Sequence, residues 1–182
     1  MFAISLVVLF LFVAAQPCWT QRAAMSVDEN ADVIDHTRFD SLWRASLDHG
    51  RLRTSGWGSE AYVAYRTMVR TADPQAYLPK ARAAFWVNAY LACLMETMHL
   101  RTGYRSTAWD TMWSQRDTFI VAGRPHTLDE IRAEAIRAAG TVAIAGCLPT
   151  GSKRGAPLPP QAATARTVRR LMRDQMRRIC RS

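Results

Sequence analysis

The chain has 182 residues, 24 Lys and Arg against 15 Asp and Glu, and 49% apolar side chains. This length and composition fit one soluble globular domain with a hydrophobic core, and they exclude a fibrous, disordered or polytopic membrane protein. The formal net charge of +9 comes almost entirely from arginine, because Lys80 and Lys153 are the only lysines. A GC-rich coding sequence produces the same skew, so the charge is interpreted as mostly compositional.

An uncharged, apolar run occupies residues 1–15. It is typical of a signal-peptide core, because a membrane-spanning helix needs about 20 such residues. Small side chains end the run and favour cleavage before Gln16. No Lys or Arg precedes the run, so an uncleaved membrane anchor stays open as the alternative. We therefore predict export, secreted or periplasmic, with an N-terminal extension at residues 16–36.

The cysteines and histidines form no recognisable metal motif. The cysteines allow up to two disulfides in an oxidising compartment, which is too few for a dense framework. They are Cys18, Cys93, Cys147 and Cys180. The histidines are scattered, and each is expected at the surface or at a helix cap. They are His36, His49, His99 and His126. Without a CxxC pair, an HExxH motif or a zinc spacing, the sequence predicts neither a metal nor a cofactor.

Helical periodicity dominates the next part of the chain. Thr37 with Asp40 resembles a capping pair, and apolar residues then recur at helical spacing until Gly50. These residues are Phe39, Leu42, Trp43 and Leu47. A second amphipathic helix is predicted over residues 59–70, with Tyr62, Tyr65 and Val69 on one face. The Asp-Pro pair that follows ends it.

The segment after Pro79 is apolar on every face from Ala83 to Met95 except at Asn88. Such a segment predicts a central buried helix over about residues 79–98, too short in its apolar part to span a bilayer. An amide buried without partners costs about 1 to 3 kcal/mol, so Asn88 must be hydrogen-bonded. It is either a structural amide that ties a loop to this helix or a residue of a functional site.

Shorter elements follow the central helix. Trp and Met residues at 109–113 suggest a short helix, and residues 118–121 a short strand that ends in a turn at residues 122–125. Residues 127–130 form a capping box, which predicts a helix that Gly140 ends.

The last third of the chain predicts a strand, a loop and a helix. The buried strand is expected at residues 141–145, and a loop rich in Gly, Pro and Ser follows at residues 146–160. The final helix covers residues 161–181. The elements together predict a single domain at residues 37–182 with an α+β fold, predominantly helical, in which the central buried helix accompanies a small sheet of short strands.

The final helix is strongly basic along one side and apolar along the other. Its arginines are Arg166, Arg169, Arg170, Arg173, Arg177, Arg178 and Arg181. The helix can dock its apolar side on the core, which is the commoner arrangement, or lie on an anionic membrane surface. Arg169, Arg173 and Arg177 are the candidate anion or membrane contacts. Nucleic-acid binding is the weaker third interpretation, because exposed aromatic residues are not interleaved with the arginines.

Residues 84–90, Ala-Phe-Trp-Val-Asn-Ala-Tyr, resemble the "AFWINAYNA" signature of the domain of unknown function 547 family. The resemblance extends over about residues 37–181. The positions that match family motifs are Phe85, Trp86, Asn88, Tyr90, Gly123, Leu128, Ile131, Arg137 and Pro157.

Several motif positions of that family are replaced here. Leu91 stands where the signature has a second Asn, Arg132 where it has Glu, and Ala143 where it has His. Cys147 alone represents the family's cysteine pair, since Ala156 stands where the other Cys is usual. The resemblance thus implies a chain that lacks most of the family's polar set.

A set of His, Cys, Asn and Glu is typical of a thiol hydrolase, in which a base activates the nucleophile. Because this chain lacks most of that set, we predict an exported, non-catalytic binding or accessory module. The alternative is a thiol-dependent hydrolase or transferase with Cys147 as nucleophile and Asn88 as orienting amide. The basic Lys153 and Arg154 near Cys147 in sequence would lower the pKa of its thiol.

Overall fold

The computed structural model describes residues 28, 31–49, 51–53, 58–100, 115–150 and 156–181. The helices are α1 (Thr37–Ser46), α2 (Glu60–Thr71), α3 (Pro79–Leu100), α4 (Leu128–Ala139) and α5 (Val168–Ile179). Two 3₁₀ helices cover Pro74–Ala76 and Val142–Cys147. Two antiparallel pairs join β1 (Leu47–Asp48) to β2 (Arg51–Leu52) and β3 (Thr118–Val121) to β4 (Arg124–Thr127). The prediction of a predominantly helical α+β fold is confirmed. The predicted elements at residues 1–15 and 109–113 lie outside the described residues.

Helix α3 is the centre of the hydrophobic core, as its all-round apolar sequence predicts. Almost every side chain from Ala81 to Met95 is buried, and the helix packs most extensively against α4, with further contacts to α2 and α5. Within the described residues, no helix is long and apolar enough to cross a membrane.

The turn between β3 and β4 caps the C-terminal end of α2. Ala122 and Gly123 both have positive φ, 52° and 73°, as a two-residue turn that matches the strand twist requires. Their backbone amides donate to the carbonyls of Val69 and Arg70, over 3.0 and 2.7 Å. The turn thereby satisfies carbonyls that the last turn of a helix leaves without partners.

The capping box at the start of α4 is confirmed. The Thr127 hydroxyl accepts from the Glu130 amide, and the Glu130 carboxylate accepts from the Thr127 amide, over 3.2 and 2.7 Å. Gly140 ends the helix with a φ of 64°, a left-handed conformation that glycine adopts without steric cost.

The predicted strand at residues 141–145 is wrong, because a 3₁₀ helix occupies Val142–Cys147. The Thr141 hydroxyl accepts from the Ala143 amide over 3.3 Å and so begins a helical turn. Val142 is 77% exposed, whereas Ile144 and Cys147 are fully buried. The small and β-branched residues of this segment predict a strand, but its backbone forms a 3₁₀ helix between α4 and α5.

The start and end of α1 differ from the prediction. Thr37 is not the capping residue; its amide and hydroxyl both donate to the Asp35 carboxylate, the first over 2.8 Å. The Asp40 carboxylate instead accepts from the Ala162 amide over 2.8 Å and from Arg44 Nε over 2.7 Å. The helix ends at Ser46, where the β1–β2 hairpin begins, and Gly50 lies outside the described residues.

Residues 157–165, named the strap here, form no regular secondary structure, so the helix predicted from residue 161 is wrong in its first turns. Helix α5 begins only at Val168. Side chains from elsewhere hold the backbone of the strap: Asp40 accepts from Ala162, Asn88 from Ala163 and Asp32 from Ala165. Long-range side-chain contacts of this kind leave no local sequence signal.

Candidate functional site

Asn88 uses both atoms of its side-chain amide on one residue of the strap. Its Nδ2 donates to the Ala163 carbonyl over 2.7 Å, and its Oδ1 accepts from the Ala163 amide over 2.8 Å. Asn88 and Ala163 are both fully buried. The side chain therefore pairs with the strap as a neighbouring β-strand would, and it ties this loop to the central helix.

Side chains from three helices and the N-terminal segment hold the rest of the strap. Trp43 Nε1 of α1 donates to the Pro159 carbonyl over 2.8 Å. On α5, Gln175 Nε2 donates to the Pro157 carbonyl over 2.8 Å. Buried polar groups without partners cost free energy. These bonds, together with those of Asp32, Asp40 and Asn88, give main-chain groups of the strap partners and so offset the cost of burying them. The strap is thus an integral layer of the fold.

A buried polar relay leads from Asn88 to the N-terminal segment. The Tyr65 hydroxyl of α2 lies near the Asn88 amide and 3.0 Å from His36 Nδ1. Burial raises the pKa of Tyr65 well above its ordinary value and lowers the pKa of His36 to about 4. At neutral pH both groups are uncharged, so the hydrogen bond between Tyr65 and His36 is a neutral one.

The expectation that His36 lies at the surface or caps a helix is wrong. Only 4% of the residue is exposed, and although it precedes α1, its side chain makes no capping bond. The sequence carries one relevant signal, the spacing of Tyr62 and Tyr65, which predicts that both lie on the buried face of α2. The partner of Tyr65, in contrast, lies 29 residues away and has no local signature.

A cleft of about 660 Å³ opens beside the relay. It lies between residues 32–37, the start of α1 and the strap, and His36 forms part of its wall. Carboxylates and guanidinium groups line it together, namely those of Asp32, Asp35, Asp40, Arg44 and Arg170. The volume is typical of small-molecule sites, and a lining with both charges fits a polar ligand better than an apolar one.

Cys147 lies in a different environment from the one that its basic sequence neighbours suggest. The residue is fully buried at the end of its 3₁₀ helix, where α5 packs over it. Burial raises the pKa of the thiol to about 12. The hypothesis of a lowered pKa is therefore wrong for this structure; Lys153 and Arg154 lie outside the described residues. Asn88 and Cys147 are not joined by the hydrogen bonds described above.

The cysteines of the described residues are free thiols rather than disulfides. Cys93 and Cys147 are buried, and Cys180 is exposed just after α5. Burial raises the pKa of Cys93 to about 12 as well, although Arg66 opposes the shift. Cys18 lies outside the described part of the chain. Within that part, no group of three or more His, Cys, Asp or Glu residues could hold a metal ion.

The other residues of the family motif serve the fold in several ways. Phe85, Trp86, Leu128 and Ile131 are core residues. Tyr90 donates to the Pro149 carbonyl over 2.7 Å and so ties the end of the second 3₁₀ helix to α3. Arg137 is exposed and pairs with Glu134 one turn earlier. Gly123 and Pro157 belong to the turn and the strap described above.

The arginine-rich helix α5 docks its apolar side on the core. Val168 and Leu171 are buried, and Met176, which is 38% exposed, and Ile179 lie so close to Gly146 that an added Cβ there would be 3.2 and 3.4 Å from them. Arg169, Arg173 and Arg177 lie on the exposed side. Docking and an exposed basic side therefore coexist in one helix.

An ion pair that the sequence does not predict lies between α2 and α3. Arg66 Nε donates to Glu96 over 3.2 Å, and the Tyr62 hydroxyl lies 3.3 Å from the same carboxylate. The Tyr62 hydroxyl also donates to the Ala92 carbonyl over 3.0 Å. Spacing along each helix places these residues on facing sides, but it does not identify the partner.

Comparison with known proteins supports the family and leaves its activity open. A family model described as "Protein of unknown function, DUF547" matches residues 74–178, which is more than half of the chain. Searches of the curated proteins and of the solved structures give no match. The matched residues run from the 3₁₀ helix that precedes α3, through the strap, to the last turn of α5. They include Asn88 and Cys147. The chain therefore belongs to the DUF547 family, proteins of unknown function.

Proposed function

We propose that this chain is an exported, non-catalytic binding module. The observation that carries the proposal is that its two candidate catalytic groups serve the fold. Both polar atoms of the Asn88 amide are hydrogen-bonded to the strap, and the Cys147 thiol is fully buried. The sequence positions of the family's His, Glu and second Asn are also replaced. Export is supported by the apolar run at residues 1–15.

The thiol-enzyme alternative needs an accessible thiolate, because the thiolate and not the thiol is the nucleophile. With a pKa of about 12, roughly one Cys147 thiol in 10⁵ is ionised at pH 7. Full burial also prevents a substrate carbonyl from approaching the sulfur. Both facts favour the binding module over the enzyme.

The cleft beside the relay is the surface on which such a module would hold a ligand. It is concave, and the strap that forms one side is fixed by Asn88 and Asp40. A rigid wall lowers the entropy lost on binding. His36 in that wall is neutral at pH 7, so the fixed charges of the cleft are those of its carboxylates and arginines.

The proposal is tested by acyl transfer from an activated ester and an activated thioester. We expect no stoichiometric burst that depends on Cys147, because the thiol is buried and protonated. Wild type and the Cys147→Ala variant should give equal signals, and Cys93→Ala is the matched control for removal of a buried thiol. Background acylation of thiols in the described residues should fall in Cys180→Ala, since Cys180 is exposed, and acylation of amines should be the same in all variants. A burst that is lost in Cys147→Ala and in a folded Asn88→Ala variant would establish the enzyme instead.

A further inference from the structure

Helix α5 presents a continuous basic face to solvent. At about 100° per residue, Arg169, Arg170, Arg173 and Arg177 fall within an arc of roughly 100°. All four are exposed. The opposite side of the helix carries the buried Val168, Leu171 and Gln175. These four arginines are named the arginine face.

The charge of the arginine face is largely uncompensated. Asp174 is the one acidic residue of the helix, and its carboxylate lies 3.6 Å from Arg177 Nη1. Within the described residues, Arg169 and Arg173 form no ion pair. Exposed arginines at residues 166 and 181 extend the positive charge beyond both ends of the helix. Structural pairing within the described part of the chain therefore does not account for this face.

The way the helix is docked restricts what the arginine face can bind. Its apolar side is already packed on the core, so the helix cannot bury that side in a bilayer. What remains is a row of guanidinium groups that spans about two helical turns, from Arg169 to Arg177. Guanidinium groups bind phosphate oxygens in bidentate geometry, and a flat anionic surface is able to meet the whole row at once.

We propose that the arginine face binds the anionic phospholipid headgroups of a bilayer surface. The charge complementarity favours an anionic partner, and the inference rests on the export proposed above, which takes the chain across a membrane. Helix α5 contains no aromatic residue on which bases could stack, which disfavours a single-stranded nucleic acid. This inference extends the proposed function by naming a partner, and it does not depend on the reactivity of Cys147.

The test is flotation of the full chain with phosphatidylglycerol vesicles and with phosphatidylcholine vesicles. We expect binding to the anionic vesicles that weakens steeply with added salt. Arg169→Gln, Arg173→Gln and Arg177→Gln together should weaken that binding roughly 100-fold, because each charge near an anionic surface contributes about a factor of five. Glutamine preserves helix propensity, and circular dichroism verifies the fold.

A matched variant separates this surface from net charge. Arg38→Gln, Arg70→Gln and Arg124→Gln remove the same charge from exposed positions on α1, α2 and β4, and this variant should bind nearly as wild type. Equal weakening of both variants, or no weakening of the first, would overturn the proposal. So would tighter binding to a DNA duplex than to the vesicles with the same dependence on the arginine face. A failed vesicle test leaves the acyl-transfer result standing, so the two proposals fail separately.

Discussion

Replacing Asn88 by leucine is expected to lower the free energy of unfolding by about 4 kcal/mol, a large share of the 5 to 15 kcal/mol typical of a domain. The variant strips the Ala163 amide and carbonyl of their partners inside the core. Each buried group left without a partner costs about 1 to 3 kcal/mol. Urea unfolding followed by circular dichroism measures the loss.

The control for this variant is Gln75→Leu, which removes an exposed amide from the 3₁₀ helix before α3. It should change the free energy of unfolding by no more than about 0.5 kcal/mol. If Asn88→Leu instead unfolds at the wild-type urea concentration and loses a measurable activity, Asn88 is a site residue and its structural role is refuted.

The second large effect is a loss of stability in mild acid that depends on His36. The folded chain binds a proton at His36 only near pH 4, because burial lowers that pKa, whereas the unfolded chain binds it from about pH 6.5. The unfolded state therefore binds more protons between these values, and the free energy of unfolding falls as the pH falls through this window. The pKa difference corresponds to a loss of about 3 kcal/mol. The stabilisation that His36 contributes to the free energy of unfolding is fully present above about pH 6.5 and lost below about pH 4.

His36→Asn isolates this effect, since the asparagine amide places a polar atom near the position of Nδ1 but does not titrate in this range. The variant should be less stable than wild type at pH 7 and should lack most of the acid-induced loss between pH 6.5 and 4. His49→Asn is the matched control, because His49 is exposed and has a φ of 46°, a conformation that Asn tolerates. It should retain the wild-type pH dependence. If His36→Asn retains that dependence too, other groups cause it.

Elements with a local cause were predictable from the sequence. The all-round apolar run of α3, the capping box at Thr127 and the glycine at 140 each fix a backbone conformation through neighbours in the chain, and all three predictions are confirmed. The predictions for residues 141–147 and for the strap were wrong because no local cause fixes their backbone. Their conformation depends on long-range packing and on side chains such as Asp40 and Asn88, which are remote in sequence.

The candidate site divides in the same way. An isolated polar residue in an apolar helix is a strong signal, so Asn88 and its need for partners were predictable. The identity of the partner, Ala163, was not predictable, because Ala163 lies 75 residues away in another element. The environment of Cys147 was not predictable, because the sequence shows nearby basic residues but not the full burial of this side chain.

The most direct test of the binding-module account is the alkylation rate of each cysteine in the native chain as a function of pH. Cys180 is exposed and serves as the internal control for reagent and pH. We predict that Cys180 is labelled in the folded protein, whereas Cys147 and the equally buried Cys93 are labelled only after denaturation. Fast native labelling of Cys147 with an apparent pKa below that of an ordinary thiol, absent in Cys147→Ala, would contradict the account and identify a reactive nucleophile.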